Sequence, residues 1–189
     1  DTIARNRVTI ICGETGCGKS SRLPLMLLES DSKAKMFVSQ PRRIAARALC
    51  DRVRQSLGDE VGLRLGFGER DERRKTRLWF CSTGYLVRLV AAHPQALKTH
   101  THIIVDEAAQ ALEPEALVPV ALAGPSTRVT LAGDPNQLGP AVRSTDALKR
   151  GLGTSLLKRL LLTAAELSGN APPGLKRFGL GGGCLLYTS

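Results

Sequence analysis

The chain has 189 residues, which is enough for one well-packed domain and excludes two large ones. Lys and Arg outnumber Asp and Glu by 27 to 17, and the formal charge of +10 favours nucleic acid over an acidic partner, although a solvated basic surface would also explain it. Five cysteines without a C-x-x-C pair suggest neither a zinc site nor a disulfide framework, and they favour a reducing compartment, the cytosol or the nucleus.

The first predicted elements are a strand, a glycine-rich loop and a helix. The apolar, β-branched run Val8–Cys12 is typical of a buried parallel strand, and Ser21–Glu29 can continue as a helix despite Pro24. Between them stands GETGCGKSS, a G-x-x-x-x-G-K-S pattern whose glycines let backbone N–H groups surround phosphate oxygens. An ordinary turn is the alternative, but the order of strand, loop and helix is the one that the motif requires.

We therefore expect a nucleotide-binding site in this loop. Lys19 would reach the outer phosphates, and the Ser20 hydroxyl would ligate Mg²⁺. The residues expected to surround the phosphates are Gly13, Glu14, Thr15, Gly16, Cys17, Gly18, Lys19, Ser20 and Ser21.

The middle of the chain contains further alternating strand and helix patterns. The strands are predicted at Lys35–Ser39, Val61–Leu65 and Thr76–Ser82, with a charged, hairpin-like stretch at Gly68–Thr76. One helix is predicted from Pro41 to Leu57, with Arg42 and Arg43 at its start. Within this helix Ile44, Ala48, Leu49, Val53 and Leu57 share one helical face. A second helix, Thr83–His93, can be capped by Ser82 and Thr83.

Two later strands, His102–Glu107 and Arg128–Asp134, end in acidic residues. Strands that alternate with helices predict an α/β fold, in which a parallel sheet carries helices on both faces and ligands bind at the carboxyl ends of the strands. Asp106 is then placed to hold Mg²⁺, and Glu107 to orient or deprotonate the water that attacks a γ-phosphate. Paired acids also occur at ordinary helix starts, so this assignment depends on the loop upstream. Gln137 could sense the γ-phosphate through its amide, or belong to a turn without a role.

From Asp1 to about Glu107 the chain resembles the first RecA-like domain of DEAH-box RNA helicases, which belong to superfamily 2. GETGCGKSSRLP resembles motif I, SQPRRIAARALCDRV resembles motif Ia, FCSTGYLVRLV resembles motif Ib, and HIIVDE opens motif II. Four motifs in the right order make the resemblance specific. It implies a RecA-like P-loop domain that binds ATP and Mg²⁺.

The resemblance also implies where RNA would lie. Motif Ia residues Pro41, Arg42 and Arg43 match positions that hold the RNA sugar-phosphate backbone in this family, as do motif Ib residues Ser82, Thr83 and Gly84. Such contacts give affinity without base specificity. A solvated helix start is the alternative for the arginines, but cations are unfavourable there without an anionic partner. The family further implies a second RecA-like domain of the parent chain, which this sequence does not contain.

After Glu107 the resemblance changes to another family. A DEAH-box sequence would place a His where Ala109 stands, whereas Asp106 to about Leu162 is similar to superfamily 1 RNA helicases of the nonsense-mediated-decay type. Gln110 and Gln137 follow that second pattern. The chain therefore resembles a chimera joined at a shared Asp-Glu pair, or a natural mosaic. The functions left open are a helicase motor domain, a passive RNA-binding module and a non-functional chimeric translation.

The C-terminal end differs in composition from the rest. We expect one domain over residues 1–167, followed by a Gly- and Pro-rich disordered tail over residues 168–183. The last residues, CLLYTS at 184–189, match one reading frame of a transposase adapter used in sequencing libraries, and we exclude them from fold reasoning. The start without Met leads us to expect a piece of a longer protein. No apolar run is long enough to span a bilayer, so no membrane partner is expected.

Overall fold

The structure is a computed structural model that describes residues 2–14, 16–168, 178–179 and 184–188. Within these residues the strands are β1 Val8–Gly13, β2 Met36–Gln40, β3 Val61–Arg64, β4 Arg70–Asp71, β5 Leu78–Ser82, β6 His102–Val105, β7 Arg128–Gly133, β8 Phe178–Gly179 and β9 Cys184–Thr188. The helices are α1 Thr2–Arg5, α2 Lys19–Ser30, α3 Arg43–Leu57, α4 Thr83–Ala92, α5 Glu113–Leu122, α6 Thr145–Lys149 and α7 Leu156–Ser168. Short 3-10 turns lie at Gly58–Glu60 and Pro94–Leu97.

The strands form one sheet with the order β4-β3-β5-β2-β6-β7-β1-β9-β8. The six strands from β3 to β1 in this order run parallel, and β4 and β9 join the two edges of this group antiparallel. The predicted α/β fold with a mainly parallel sheet is therefore confirmed. Because parallel strands end at one edge, the residues that follow β1, β2, β6 and β7 are brought together there.

Successive residues of the central strands face opposite sides of the sheet and enter two separate apolar clusters. One cluster contains Phe37, Ile103, Val105 and Leu131 and is covered by α4, α5 and α7, while the other contains Met36, Val38 and Ile104 and is covered by α1, α2 and α3. Runs of apolar residues are typical of strands that are buried on both faces.

The apolar face predicted for α3 is not the face that packs on the sheet at its N-terminal half. Ile44 is 85% exposed and Ala48 is also exposed, whereas Ala46, Cys50 and Val53 are buried against β3 and β5. The sequence offers two apolar stripes at helical spacing, and only one can face the sheet. The small side chains of Ala46 and Cys50 let the helix approach the strands closely, and this favours their stripe.

Other differences concern elements that the sequence patterns do not predict. Helix α5 contains Pro119 in its interior, and its sequence, EPEALVPVAL, gives no clear amphipathic signal. Strands β8 and β9 lie in the predicted tail and in the excluded hexapeptide, and β9 pairs with β1. Most of the predicted disordered tail, residues 169–177 and 180–183, lies outside the described residues.

Candidate functional site

The glycine-rich loop forms a tight turn between β1 and α2. Gly16 and Gly18 have φ angles of 85° and 93°, a left-handed region that favours glycine. A Cβ on Gly18 would also lie 2.8 Å from the side chain of Arg22. Helix α2 begins at Lys19, so the N–H groups of its first turn, which a helix leaves without internal partners, face the loop. This geometry can present several amides to one anion.

Lys19 is a buried cation inside this loop. Its Nζ donates hydrogen bonds to the backbone oxygens of Gly13 at 2.5 Å and Glu14 at 2.8 Å, and it lies 3.6 Å from Cys17 Sγ. These contacts orient the ammonium group while the side chain is 8% exposed. A phosphate oxygen carries negative charge and would be a stronger acceptor than the neutral carbonyls.

The remaining loop residues are less enclosed. Glu14 and Gly16 are exposed, whereas Ser20 and Ser21 are partly buried. Thr15 lies outside the described residues.

Asp106 follows β6 and is completely buried beside the loop. The pKa of Asp106 is raised to about 6, mainly by burial and also by the charge of Glu107. The Ser20 hydroxyl and the charge of Lys19 act in the opposite direction and lower this pKa. The two residues predicted to hold Mg²⁺, Ser20 and Asp106, therefore lie near each other.

The carboxylate of Asp106 retains one oxygen without a partner. Its Oδ2 accepts a hydrogen bond from Gln40 Nε2, and its backbone N–H donates to Ser39 at 3.0 Å. Its Oδ1 is buried and has no hydrogen-bond partner among the described residues. An unsatisfied buried carboxylate oxygen costs free energy, and Mg²⁺ prefers such oxygen ligands. The residues present therefore fit a magnesium ion between Ser20 and Asp106.

A chain of side-chain hydrogen bonds connects the ends of β6 and β7. Gln110 Nε2 donates to Glu107 Oε2 at 3.1 Å and to Gln137 Oε1 at 3.3 Å, and Gln137 Nε2 donates to Asp134 Oδ2 at 3.2 Å. Glu107 has a φ angle of 52°, which is uncommon for a residue other than glycine. Glu107 and Gln137, which the sequence predicts as separate site residues, are thus connected through Gln110.

The predicted motif Ia residues divide into two environments. Pro41 and Arg42 line a cleft of about 440 Å³ together with Gln110 and Gln137, and Arg42 is exposed. This cleft adjoins the hydrogen-bonded chain described above. Arg42 has no ion-pair partner among the described residues.

Arg43, by contrast, already has an anionic partner. Its guanidinium lies 2.8 Å from Glu69 Oε2, and the same carboxylate pairs with Arg47. Glu69 follows β3 on the turn that leads to β4. Arg43, at the start of α3, therefore has its anionic partner within this chain.

The predicted motif Ib residues are mostly enclosed. Ser82 is 7% exposed and its hydroxyl accepts a hydrogen bond from Tyr85 N at 3.3 Å, so the predicted cap of α4 is confirmed. Thr83 is 4% exposed, and its hydroxyl has no hydrogen-bond partner in the part of the chain that is described. Gly84 is exposed on the first turn of α4. The proposed contact of these residues with RNA stays a prediction.

Two site residues are not predicted from the sequence. Gln40 ends β2 and is 2% exposed, with its amide directed at Asp106. A polar residue at the last position of an apolar strand, next to the strand that ends in Asp106, is the signal that could have identified it. Glu69 lies in a run of charges whose pattern gives no indication that it pairs with α3.

Known proteins with similar sequences include a protein family and several RNA helicases. A family described as an AAA domain matches residues 87–145. The DExH-box ATP-dependent RNA helicase DExH3 of Arabidopsis thaliana is 41% identical over 114 residues, which is 56% of this chain and 9% of that protein. The ATP-dependent RNA helicase DHX30 of Homo sapiens is 36% identical over 117 residues, covering 57% of this chain and 10% of that protein.

A solved structure shows the same fold. The crystal structure of the Escherichia coli DEAH/RHA helicase HrpB matches with a TM-score of 0.63 and 24% identity, covering 80% of this chain and 20% of that chain. This chain therefore shares its RecA-like α/β fold with the matched part of that protein. The chain spans about a tenth of the length of the curated relatives named above.

Within the described residues, each helix is either too short or too polar to cross a membrane.

Proposed function

We propose that this domain binds Mg-ATP and RNA as the first motor domain of an ATP-dependent RNA helicase. The observation that carries the proposal is the meeting of the glycine-rich loop, Lys19, Ser20 and Asp106 at the carboxyl edge of the sheet. The curated relatives, which are named ATP-dependent RNA helicases, support it.

Each group at this edge has a chemical role in the proposal. Lys19 and the N–H groups at the start of α2 would bind the outer phosphates and offset their charge. Ser20 and Asp106 would hold Mg²⁺, which when bound draws negative charge from the phosphates. Glu107 would orient or deprotonate the attacking water, and Gln137 would sense the γ-phosphate through its amide.

The hydrogen-bonded chain supports a connection between these roles and the cleft beside Arg42. A movement of the Gln137 amide toward a phosphate would break or lengthen its contact with Gln110, which in turn holds Glu107. Both glutamines also line the cleft that contains Pro41 and Arg42. Phosphates of an RNA strand in this cleft would therefore lie next to the groups that position the water.

We further propose that the parent protein supplies a second RecA-like domain. In related phosphoryl-transfer systems an arginine contributed from another domain raises the rate by about 10³ to 10⁵. The chain alone should therefore bind nucleotide weakly, hydrolyse it barely above background and fail to unwind duplex RNA. Unaided unwinding by the purified chain would contradict this proposal.

The cysteines support a reducing compartment, the cytosol or the nucleus. Cys50 and Cys81 are free thiols in the described part of the chain. Structural disulfides are rare in those compartments.

Thermal unfolding with and without Mg-ATP tests the proposal. At a ligand concentration ten times the dissociation constant, binding stabilises the folded state by about 1.4 kcal/mol. For a chain of this size that corresponds to a rise in Tm of about 3–6 °C. The rise should be absent in Lys19→Ala and present in Lys33→Ala, a matched control whose lysine is exposed between α2 and β2.

The alternatives predict different results in the same experiment. Salt-sensitive RNA binding that is indifferent to ATP and to Lys19→Ala would support a passive RNA-binding module. Broad, uncooperative melting would support a chimeric chain that does not fold.

A further inference from the structure

An aromatic side chain stands in solvent at the turn between β3 and β4. Phe67 is 87% exposed and has a φ angle of 65°, and the neighbouring Gly68 has a φ angle of 79°. A bulky residue in the left-handed region carries a conformational cost, and an exposed ring gains no burial to offset it. Phe67 is therefore not kept by a packing role in the core. Backbone strain of this kind is often found at functional positions.

Positive charge surrounds the exposed ring. The guanidinium carbons of Arg43 and Arg88 lie 5.6 Å and 5.8 Å from the ring centroid. Because the side chain remains 87% exposed, the two arginines flank the ring without covering it. They are held on different helices, α3 and α4, so the turn lies between two independent cations.

A surface groove begins beside this turn. It has a volume of about 760 Å³ and is lined by Arg42, Arg43, Arg47 and the exposed Ile44, with Glu69 as its acidic residue. Glu69 already pairs with Arg43 and Arg47, so the groove retains a net positive charge. A planar apolar surface next to clustered guanidinium groups is the combination that binds single-stranded nucleic acid, in which bases stack and phosphates pair with cations.

We propose that Phe67 is a stacking platform for one base of single-stranded RNA, with Arg43 and Arg88 placed to bind the adjacent phosphates. This inference rests on the proposed function. It adds a contact with one base to the expected contacts with the RNA backbone. A stacked base would cover the exposed ring and supply the burial that the free chain lacks. Stacking tolerates every base, so the platform would add affinity without sequence preference.

The charge favours RNA over a protein partner on this groove. A protein partner with an apolar surface would have to remove water from Arg42, Arg43 and Arg47. Only Arg43 and Arg47 have a carboxylate to pair with, and they share that of Glu69. Phosphates would instead pair with the guanidinium groups directly.

Fluorescence anisotropy with two probes of equal charge tests the proposal on this 189-residue chain. The probes are a labelled oligouridylate of about ten nucleotides, within the site sizes of single-strand binders, and a ribose-phosphate strand of the same length without bases. Stacking contributes about 1–3 kcal/mol per base, or about 5- to 150-fold in affinity. We expect Phe67→Ala to weaken oligouridylate binding about fivefold or more and to leave binding of the baseless strand unchanged.

Two variants distinguish stacking on an aromatic ring from contact with any apolar side chain. Phe67→Leu should lose the same affinity as Phe67→Ala, whereas Phe67→Trp should retain it and show fluorescence quenching by the RNA. The quenching can be measured because Trp79, the only native tryptophan, is 9% exposed. Unchanged thermal unfolding of the variants would confirm that they remain folded.

The contrary outcomes are distinct. If oligouridylate binds equally well to the wild type, Phe67→Ala and Phe67→Leu, the stacking inference is overturned while RNA binding stands, and a protein partner becomes the better occupant. If the wild type binds neither probe, RNA binding itself fails, and with it both proposals.

Discussion

Replacement of Asp106 by Asn should stabilise the domain in the absence of ligands, although it removes a predicted magnesium ligand. The pKa of Asp106 is raised from 3.8 to about 6, mainly because the carboxyl is buried. At about 1.4 kcal/mol per pKa unit, the ionised carboxylate costs the folded state about 3 kcal/mol at about pH 7.5. The amide side chain of the Asp106→Asn variant is neutral at every pH and still offers an oxygen to the Gln40 amide, so the substitution should remove this cost.

The direction of the pH dependence follows from the raised pKa. Between about pH 4 and pH 6 the folded wild type binds more protons than the unfolded chain, so its stability falls as the pH rises through this window. The advantage of Asp106→Asn should therefore be full above about pH 7 and should vanish below about pH 4.

The assay is thermal unfolding of both proteins in EDTA between about pH 4 and pH 8, which spans the window of the raised pKa. About 3 kcal/mol corresponds to a rise in Tm of roughly 6–12 °C for a chain of this size. Asp51→Asn, on the exposed side of α3, is the matched control and should change the Tm little. An Asp106→Asn protein that is equally or less stable at neutral pH, or an advantage that does not change with pH, would refute this reasoning.

Three further substitutions have defined outcomes. Ser82→Ala removes the hydroxyl that accepts from Tyr85 N and should lower the free energy of unfolding by about 1 kcal/mol in urea titrations; unchanged stability would contradict the capping role. Glu69→Gln removes the carboxylate that pairs with Arg43 and Arg47. It should tighten RNA binding and steepen the slope of log K against log salt concentration by up to about 1.4, at about 0.7 per phosphate. Weaker binding would show that the carboxylate organises the groove. Burial lowers the pKa of His100 from 6.5 to about 4. The buried neutral ring therefore stabilises the fold fully above pH 6.5, and this contribution is lost as the pH falls toward 4. His100→Phe keeps a ring stacked on Phe37. At about pH 5 its free energy of unfolding should exceed that of the wild type by on the order of 1–2 kcal/mol. Equal acid sensitivity of the two proteins would point to other groups.

The central strands and the phosphate loop could be predicted from the sequence because local patterns determine them. Val8–Cys12 is an unbroken apolar run before a glycine-rich turn, and the structure extends this strand by one residue to Gly13. Parallel strands end at one edge, and this rule places Asp106 near Ser20 without any knowledge of side-chain positions.

The features that could not be predicted depend on competition between tertiary contacts. The phase of α3 is set by how closely Ala46 and Cys50 can approach the sheet, and the apolar residues alone do not reveal this. The hydrogen bond between Gln40 and Asp106 joins residues 66 positions apart. The pairing of Glu69 with two arginines depends on how the turn before β4 folds back over α3.

Isothermal titration of ATP into the purified chain tests most directly whether Lys19, Ser20 and Asp106 form a Mg-triphosphate site. We expect one site per chain that requires Mg²⁺, is lost in Lys19→Ala and is retained in Lys33→Ala. Equal binding of ATP by the wild type and Lys19→Ala, or binding that does not depend on Mg²⁺, would contradict this account.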